Sequence, residues 1–303
     1  MKKYLLITIM LLGIFYSCSF EDEETVYPHT SVYLPYQLYN RNIVVGEGLE
    51  FKVGVIFSGV LDNNQDRAVT YKIDPSTIII ATQSELPQSY YTIEDSEIRI
   101  PKGQLKGYLP IKLDSVAFLN DPKSLTGEYI LTIHLVSASN IDKITEGMTY
   151  MNLSISYFAK QHGNYTYSGK ITKTDDNTET SYQNVSTVTE SFRLLKTVGP
   201  TKMRVVADET STSKDPAKKT YSFIVDVATH GGGKVTITAD PISPIAVSPD
   251  GESTYDVATK TFHLNYTYSD GTVTYKVSEN LVFRNRIRDV QADGLYINEW
   301  RGF

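Results

Sequence analysis

A single cysteine and five histidines are all that 303 residues offer of the thiols and imidazoles that most often carry disulfides and metal sites, and tryptophan too occurs once. One thiol cannot close an intrachain disulfide, so the fold must rest on buried apolar surface. His29, His134, His162, His230 and His263 are scattered without the spacing of a metal site. A basic excess is missing as well: 29 Lys and Arg stand against 35 Asp and Glu, a net charge of -6. Nucleic acid, which needs a concentrated basic surface, is therefore not an expected partner. The uncharged apolar run from Tyr4 to Ser17 is too short to span a bilayer, which takes about 18 or more apolar residues.

Catalytic signatures are equally scarce. The chain has no Gly-x-Ser-x-Gly elbow and no His-Glu-x-x-His. Asp-x-x-Asp-x-Asp-x-Glu, the carboxylate pattern of family-18 glycoside hydrolases, is missing too. Gly231-Gly232-Gly233 lacks the Lys-Ser/Thr of a phosphate loop and reads as a strand connection. Asp175-Asp176-Asn177 and Asp208-Glu209 lack the alternating ligands of a calcium loop. The expectation is a protein that is not an enzyme and holds no cofactor or metal.

What is present is alternation. Period-two patterning dominates after residue 30, and no segment sustains a helical stripe, so the chain reads as all-β. Strands are expected at 31–36, 49–57, 68–73, 105–113, 128–136 and 150–158, an immunoglobulin-like β-sandwich over 31–158. After a break at 159–163 the pattern resumes at 165–173, 186–196, 202–207, 220–228, 233–239, 261–268, 272–277 and 281–286. Asp270-Gly271 between two of these is a hairpin signal. Eight antiparallel strands must close or fold double to hide their edges, so 163–303 is expected to be a lipocalin-like β-barrel or a second sandwich. The polar segments 174–184 and 208–219 read as exposed loops.

The amino terminus carries an address. Lys2 and Lys3 precede the short apolar run, which ends at Ser17-Cys18 before Ser19 and the acidic Glu21-Asp22-Glu23-Glu24. A charged start and a short apolar core make a signal peptide at 1–17. This segment resembles a bacterial lipoprotein signal, although Phe15-Tyr16-Ser17 departs from the usual triplet before the cysteine. The resemblance implies cleavage before Cys18, a diacylglycerol thioether on its sulfur and a fatty acyl chain such as palmitate on the new amine. Residues 18–30 are then a lipidated cysteine and an acidic linker. Two or three acyl chains suffice for stable membrane anchoring. The acidic run resembles the export signal that sends such lipoproteins to the outer face of the outer membrane.

Val32-Tyr33-Leu34-Pro35, Asn40-Arg41, Pro87-Gln88-Ser89-Tyr90-Tyr91, Ile100-Pro101-Lys102-Gly103-Gln104 and Phe118-Leu119-Asn120-Asp121-Pro122 resemble the N-terminal domain of unknown function in Bacteroidetes surface lipoproteins, also found before glycoside-hydrolase-18 endoglycosidases. Gly163-Asn164-Tyr165, Leu264-Asn265-Tyr266-Thr267-Tyr268 and Leu281-Val282-Phe283-Arg284-Asn285-Arg286 are similar to its frequent C-terminal partner. The resemblance implies a non-catalytic glycan-binding protein of a polysaccharide-utilisation system, with an outer-membrane transporter and glycan-capture proteins as partners. A protein-binding or adhesion module is the alternative.

Glycan sites pair flat aromatic rings with polar hydrogen-bonders, a role for which tyrosine is suited. Among 22 Tyr most are expected to be half-buried strand residues. The lone Trp300, beside Asn298, Glu299 and Arg301, is the leading glycan-contacting candidate, followed by Tyr296, Tyr266, Tyr268 and Tyr165. The binding role is expected in the C-terminal domain, with the first domain as a spacer. Ser115, in Asp114-Ser115-Val116, resembles a short O-glycosylation motif.

Overall fold

Alternating apolar residues build two successive β layers and then a barrel. The computed structural model describes residues 28–184, 192–208, 220–228 and 231–290, and the strand backbone at 296–300. Cys18, the signal peptide and the acidic linker through Glu24 lie outside the described residues.

The first domain contains β1 (Ser31–Tyr33), β2 (Leu38–Val44), β3 (Glu50–Ser58), β4 (Arg67–Ile73), β5 (Ser84–Glu85), β6 (Tyr91–Thr92), β7 (Glu97–Ile100), β8 (Lys106–Leu113), β9 (Tyr129–Ser139), β10 (Lys143–Ile144) and β11 (Tyr150–Phe158). They form a five-stranded sheet ordered β10-β1-β3-β8-β6 and a six-stranded sheet built on β2-β11-β9-β4-β7 with β5 beside β9. In β3, Phe51, Val53, Val55 and Phe57 are buried while Glu50 and Lys52 are exposed, the signature of a sheet with one face on a core. Leu109 and Ile111 from β8, and Leu131, Ile133, Leu153 and Ile155 from the other sheet, join the same apolar cluster. Turns are fixed by side chains: the Asn63 amide donates to Pro101 O at 2.9 Å and Gln104 O at 3.0 Å, and its oxygen accepts from Arg67 Nε at 2.8 Å. A short α-helix, Ala117–Asn120, buries Phe118 against Tyr90 and Tyr157.

The second domain contains β12 (Gly163–Lys173), β13 (Glu179–Asn184), β14 (Arg193–Thr197), β15 (Lys202–Asp208), β16 (Thr220–Asp226), β17 (Gly233–Ala239), β18 (Val247–Pro249), β19 (Ser253–Asp256), β20 (Thr261–Ser269), β21 (Thr274–Val290) and β22 (Tyr296–Trp300). Antiparallel pairing runs β12-β14-β15-β16-β17-β19-β20-β21, and β21 returns to β12 over Lys173↔Tyr275 to Asn164↔Asn285, closing an eight-stranded barrel. The expected count of eight is met by a different set of strands. The two segments read at 272–277 and 281–286 are one 17-residue strand, and Ser253–Asp256 supplies a member too short and polar to be seen as a strand. Segment 174–184, read as a loop, instead carries β13, which pairs with β12 from Thr172↔Glu179 to Tyr167↔Asn184.

The domains meet at the lower end of β21. Arg286 donates to the Lys160 carbonyl at 3.1 Å and to Glu47 of the first domain at 3.2 Å. His162 stacks on Phe158 with ring centroids 4.0 Å apart, and its Nδ1 accepts the Thr197 N–H at 3.1 Å.

Candidate functional site

β1 leaves its sheet after three residues, and the sequence explains why. Tyr33 pairs with Ile56, so Pro35 would face Gly54, where it has no N–H to give. The chain crosses to the other sheet instead, with Leu34 N–H bonded to the Met148 carbonyl at 3.0 Å, and continues as β2 alongside β11. The consequence is an open edge on the first half of β3. Phe57 N–H donates to Leu105 O, and Leu113 N–H to Leu49 O, so odd-numbered residues of β3 bond to β8. The backbone groups of Glu50, Lys52 and Gly54 therefore point away from β8 towards the edge that β1 vacates, spaced about 6.8 Å apart.

A cleft of about 510 Å³ lies along this edge. Glu50 to Gly54 form one wall, Pro35, Tyr36, Tyr39 and Arg41 another, and Met151 and Leu153 complete the lining. Phe51, Val53, Met151 and Leu153 make it apolar at depth. The Tyr36 and Tyr39 rings lie 5.8 Å apart at 31°, a bent aromatic surface of which Tyr36 is 37% exposed. Gly54 has no side chain to block the outer face; its Cβ position lies 3.4 Å from the Tyr108 ring, itself 52% exposed. Arg41, Lys52 and Glu50 supply charge. The arrangement can stack planar or flat apolar faces and donate or accept hydrogen bonds around them. Glu50 is the one carboxylate among the described residues of the lining.

The candidates from sequence lie elsewhere. Tyr165, Tyr266 and Tyr268 are at most 2% exposed and fill the barrel, so they are core rings and not an open platform. Tyr165 packs edge-on to Phe262 and Phe283 and donates to the Gln161 carbonyl at 2.8 Å. Tyr268 stacks on Tyr221 and Tyr275 at 4.5 and 4.9 Å. Tyr266 donates to Glu279 at 2.9 Å, and Glu279 accepts from the buried Arg193 at 2.9 Å. Burial and the Glu279 charge hold the Tyr266 hydroxyl protonated well above its usual range. The parity was readable: Phe262, Leu264, Tyr266 and Tyr268 share one face of β20, and the inward face of a small barrel is filled by side chains. Tyr296 and Trp300 belong to β22 by backbone, and their side chains lie outside the described residues.

Ser115 is exposed, in a turn where the Asp114 carboxylate accepts the N–H groups of Val116 and Ala117 at 2.8 and 2.6 Å. Those bonds hold Asp114 below the usual carboxylate range. Asp176 accepts the Thr178 N–H at 2.8 Å in a turn with Asn177 at φ 57°. Among the described residues no group of three or more His, Cys, Asp or Glu could hold a metal ion. The cleft residues Tyr36, Tyr39, Arg41 and Lys52 escaped sequence reasoning, although Leu34-Pro35-Tyr36 marks a strand ending in an aromatic at a crossover.

Residues 27–142 match a family model described as an N-terminal domain, and residues 150–282 match the model of a C-terminal domain. A Bacteroides ovatus protein of unknown function shares the fold at a TM-score of 0.71 and 18% identity, over 90% of this chain and 99% of that one. An auxiliary nutrient binding protein from Bacteroides thetaiotaomicron aligns at a TM-score of 0.47 and 15% identity, over 85% and 92% of the two chains. No curated protein matches. The two domain models follow one another along most of the chain, and the chain belongs to the family whose N-terminal and C-terminal domains they describe.

Proposed function

We propose that this protein is a cell-surface lipoprotein, anchored through Cys18 to the outer membrane and facing the medium, that binds glycan without cleaving it. The observation that carries the reading is the cleft with Tyr36 and Tyr39 above an apolar floor, rimmed by Arg41, Glu50 and Lys52. A pyranose offers an apolar C–H face and a polar rim, the complement of that lining. Hydrolysis calls for two carboxylates across the scissile bond, and the described residues of the lining offer one. In this reading the first domain, an immunoglobulin-like sandwich, binds, while the lipocalin-like barrel supports it. A glycan-importing outer-membrane transporter and its capture proteins are the natural partners. Each site is weak, and dense display on a membrane compensates through effective concentration.

A specific observation favours a second reading. The free groups of Glu50, Lys52 and Gly54 could accept an added strand from another protein. A glycan array probed with residues 19–303, and with the Tyr36→Ala/Tyr39→Ala variant, separates the two. Glycan binding that disappears in the variant supports the first reading, whereas a protein that binds no carbohydrate at millimolar ligand contradicts it.

A further inference from the structure

From the open edge of β3 we infer that two copies of this protein associate, β3 against β3 in antiparallel register. This goes beyond the glycan reading and stands without it. The backbone groups of Glu50, Lys52 and Gly54 face the edge that β1 vacates, and the described residues give them no partner there. A row of unpaired N–H and C=O groups is a template for another strand. Little stands in the way of one. Gly54 has no side chain, and a Cβ on Gly48, just before the strand, would meet nothing within 4 Å.

Charge selects the partner and the register. Glu50 and Lys52 are exposed on one face of β3, and neither has an ion pair among the described residues, whereas Lys72, Lys170 and Lys276 each have a carboxylate within 4 Å. Antiparallel pairing centred on Phe51 sets Glu50 of each copy opposite Lys52 of the other, and the edge-facing backbone groups of both residues then meet their counterparts. Opposite charges directly across a ladder stabilise it and like charges destabilise it. The neighbouring register, centred on Lys52, would set ammonium against ammonium. Lysine alone would blunt an edge, and the glutamate two residues before it makes the strand its own complement.

The fold leaves room for this partner. β1 stands against Ile56 to Ser58, and the residues of the other copy that would meet it precede Glu50, where the chain is still arriving from β2 in the opposite sheet. That connection turns at Gly46 and Gly48, with φ 88° and 106°, and so leads away from β1. Pairing joins the two five-stranded sheets into one around a twofold axis at Phe51. The contact is small and therefore weak, and because it covers the Glu50 to Gly54 wall of the cleft it competes with a ligand seated there.

Sedimentation velocity of residues 19–303, which lack the lipidated cysteine, tests the pairing between about 0.01 and 1 mM, the range in which so small a contact associates. The weight-average coefficient should rise with concentration towards that of a dimer. Lys52→Glu sets like charges opposite one another at both pairs and should weaken association about tenfold or more, and Glu50→Lys should do the same. The double exchange Glu50→Lys/Lys52→Glu restores opposite charges and should return association to within about threefold of the parent. Circular dichroism checks that each variant keeps the parent's fold. A chain that stays monomeric at the top of the concentration range overturns the inference, and so does a dimer that neither single reversal weakens. Single reversals that weaken association with no recovery in the double exchange overturn the Glu50–Lys52 register. Glycan binding is read separately on the array, so its failure and the failure of this pairing are distinguishable.

Discussion

Replacing Glu279 by Gln tests how the barrel tolerates charge in its interior. The Arg193 and Glu279 side chains are 5% and 0% exposed, with Nε 2.9 Å from Oε1. Tyr266 donates to the other carboxylate oxygen at 2.9 Å, and the guanidinium lies 4.6 Å from the Tyr167 ring centre. Burial opposes the Arg193 charge, and Glu279, with Tyr266 and Tyr221, outweighs it and holds the guanidinium above its usual range. Gln keeps the shape and removes the counter-charge, leaving a buried cation uncompensated, which costs about 3–5 kcal/mol. For a domain of this size that is roughly a 10–20 °C drop in Tm. Urea and thermal unfolding of residues 19–303, followed by circular dichroism, measure it. Removing both charges in Arg193→Met/Glu279→Leu is expected to cost far less than the two single changes combined, because no unpaired ion remains. A Glu279→Gln variant within about 0.5 kcal/mol of the parent, or strict additivity in the double variant, would refute the reasoning.

Burial first, and the Arg286 and Lys196 charges second, push the His162 pKa down to about 4 from 6.5. The unfolded chain then binds more protons between those values, so stability is full above pH 6.5 and falls as pH drops towards 4, by at most about 3 kcal/mol. His162→Gln should flatten that slope in unfolding curves taken from pH 7.5 to 4.5; an unchanged slope assigns it elsewhere. At Gly163 the backbone has φ 153° and a Cβ would sit 2.7 Å from Phe283 and 2.8 Å from the Asn285 carbonyl, beside the register shift where β12 meets β21. Gly163→Ala should therefore lower barrel stability by about 1–3 kcal/mol in the same assay. Asp121 accepts from Tyr90 at 3.1 Å and Tyr129 at 2.5 Å and caps Lys123, so Asp121→Ala should destabilise the first domain by about 2 kcal/mol in urea unfolding.

Alternation exposed the β class and most long strands because a residue's face follows from its parity. It failed where the barrel buries polarity. Ser278-Glu279-Asn280 divides β21 in sequence, yet Glu279 points inward onto Arg193, a partner 86 positions away that no local pattern reveals. β13 looked like a loop because its only buried apolar contribution is Tyr182. β19 has four residues, and its strand character comes from β17 and β20 on either side. The cleft was hidden for a related reason. Tyr36 and Lys52 are unremarkable singly and become neighbours only because Pro35 sends the chain across to the opposite sheet.

Amide chemical shifts locate the ligand most directly. In a nuclear magnetic resonance titration of residues 19–303 with an array-selected oligosaccharide, the account predicts that the largest changes fall on the backbone N–H groups of Glu50, Lys52 and Gly54. Changes confined to the barrel, with those three amides unmoved, would contradict it.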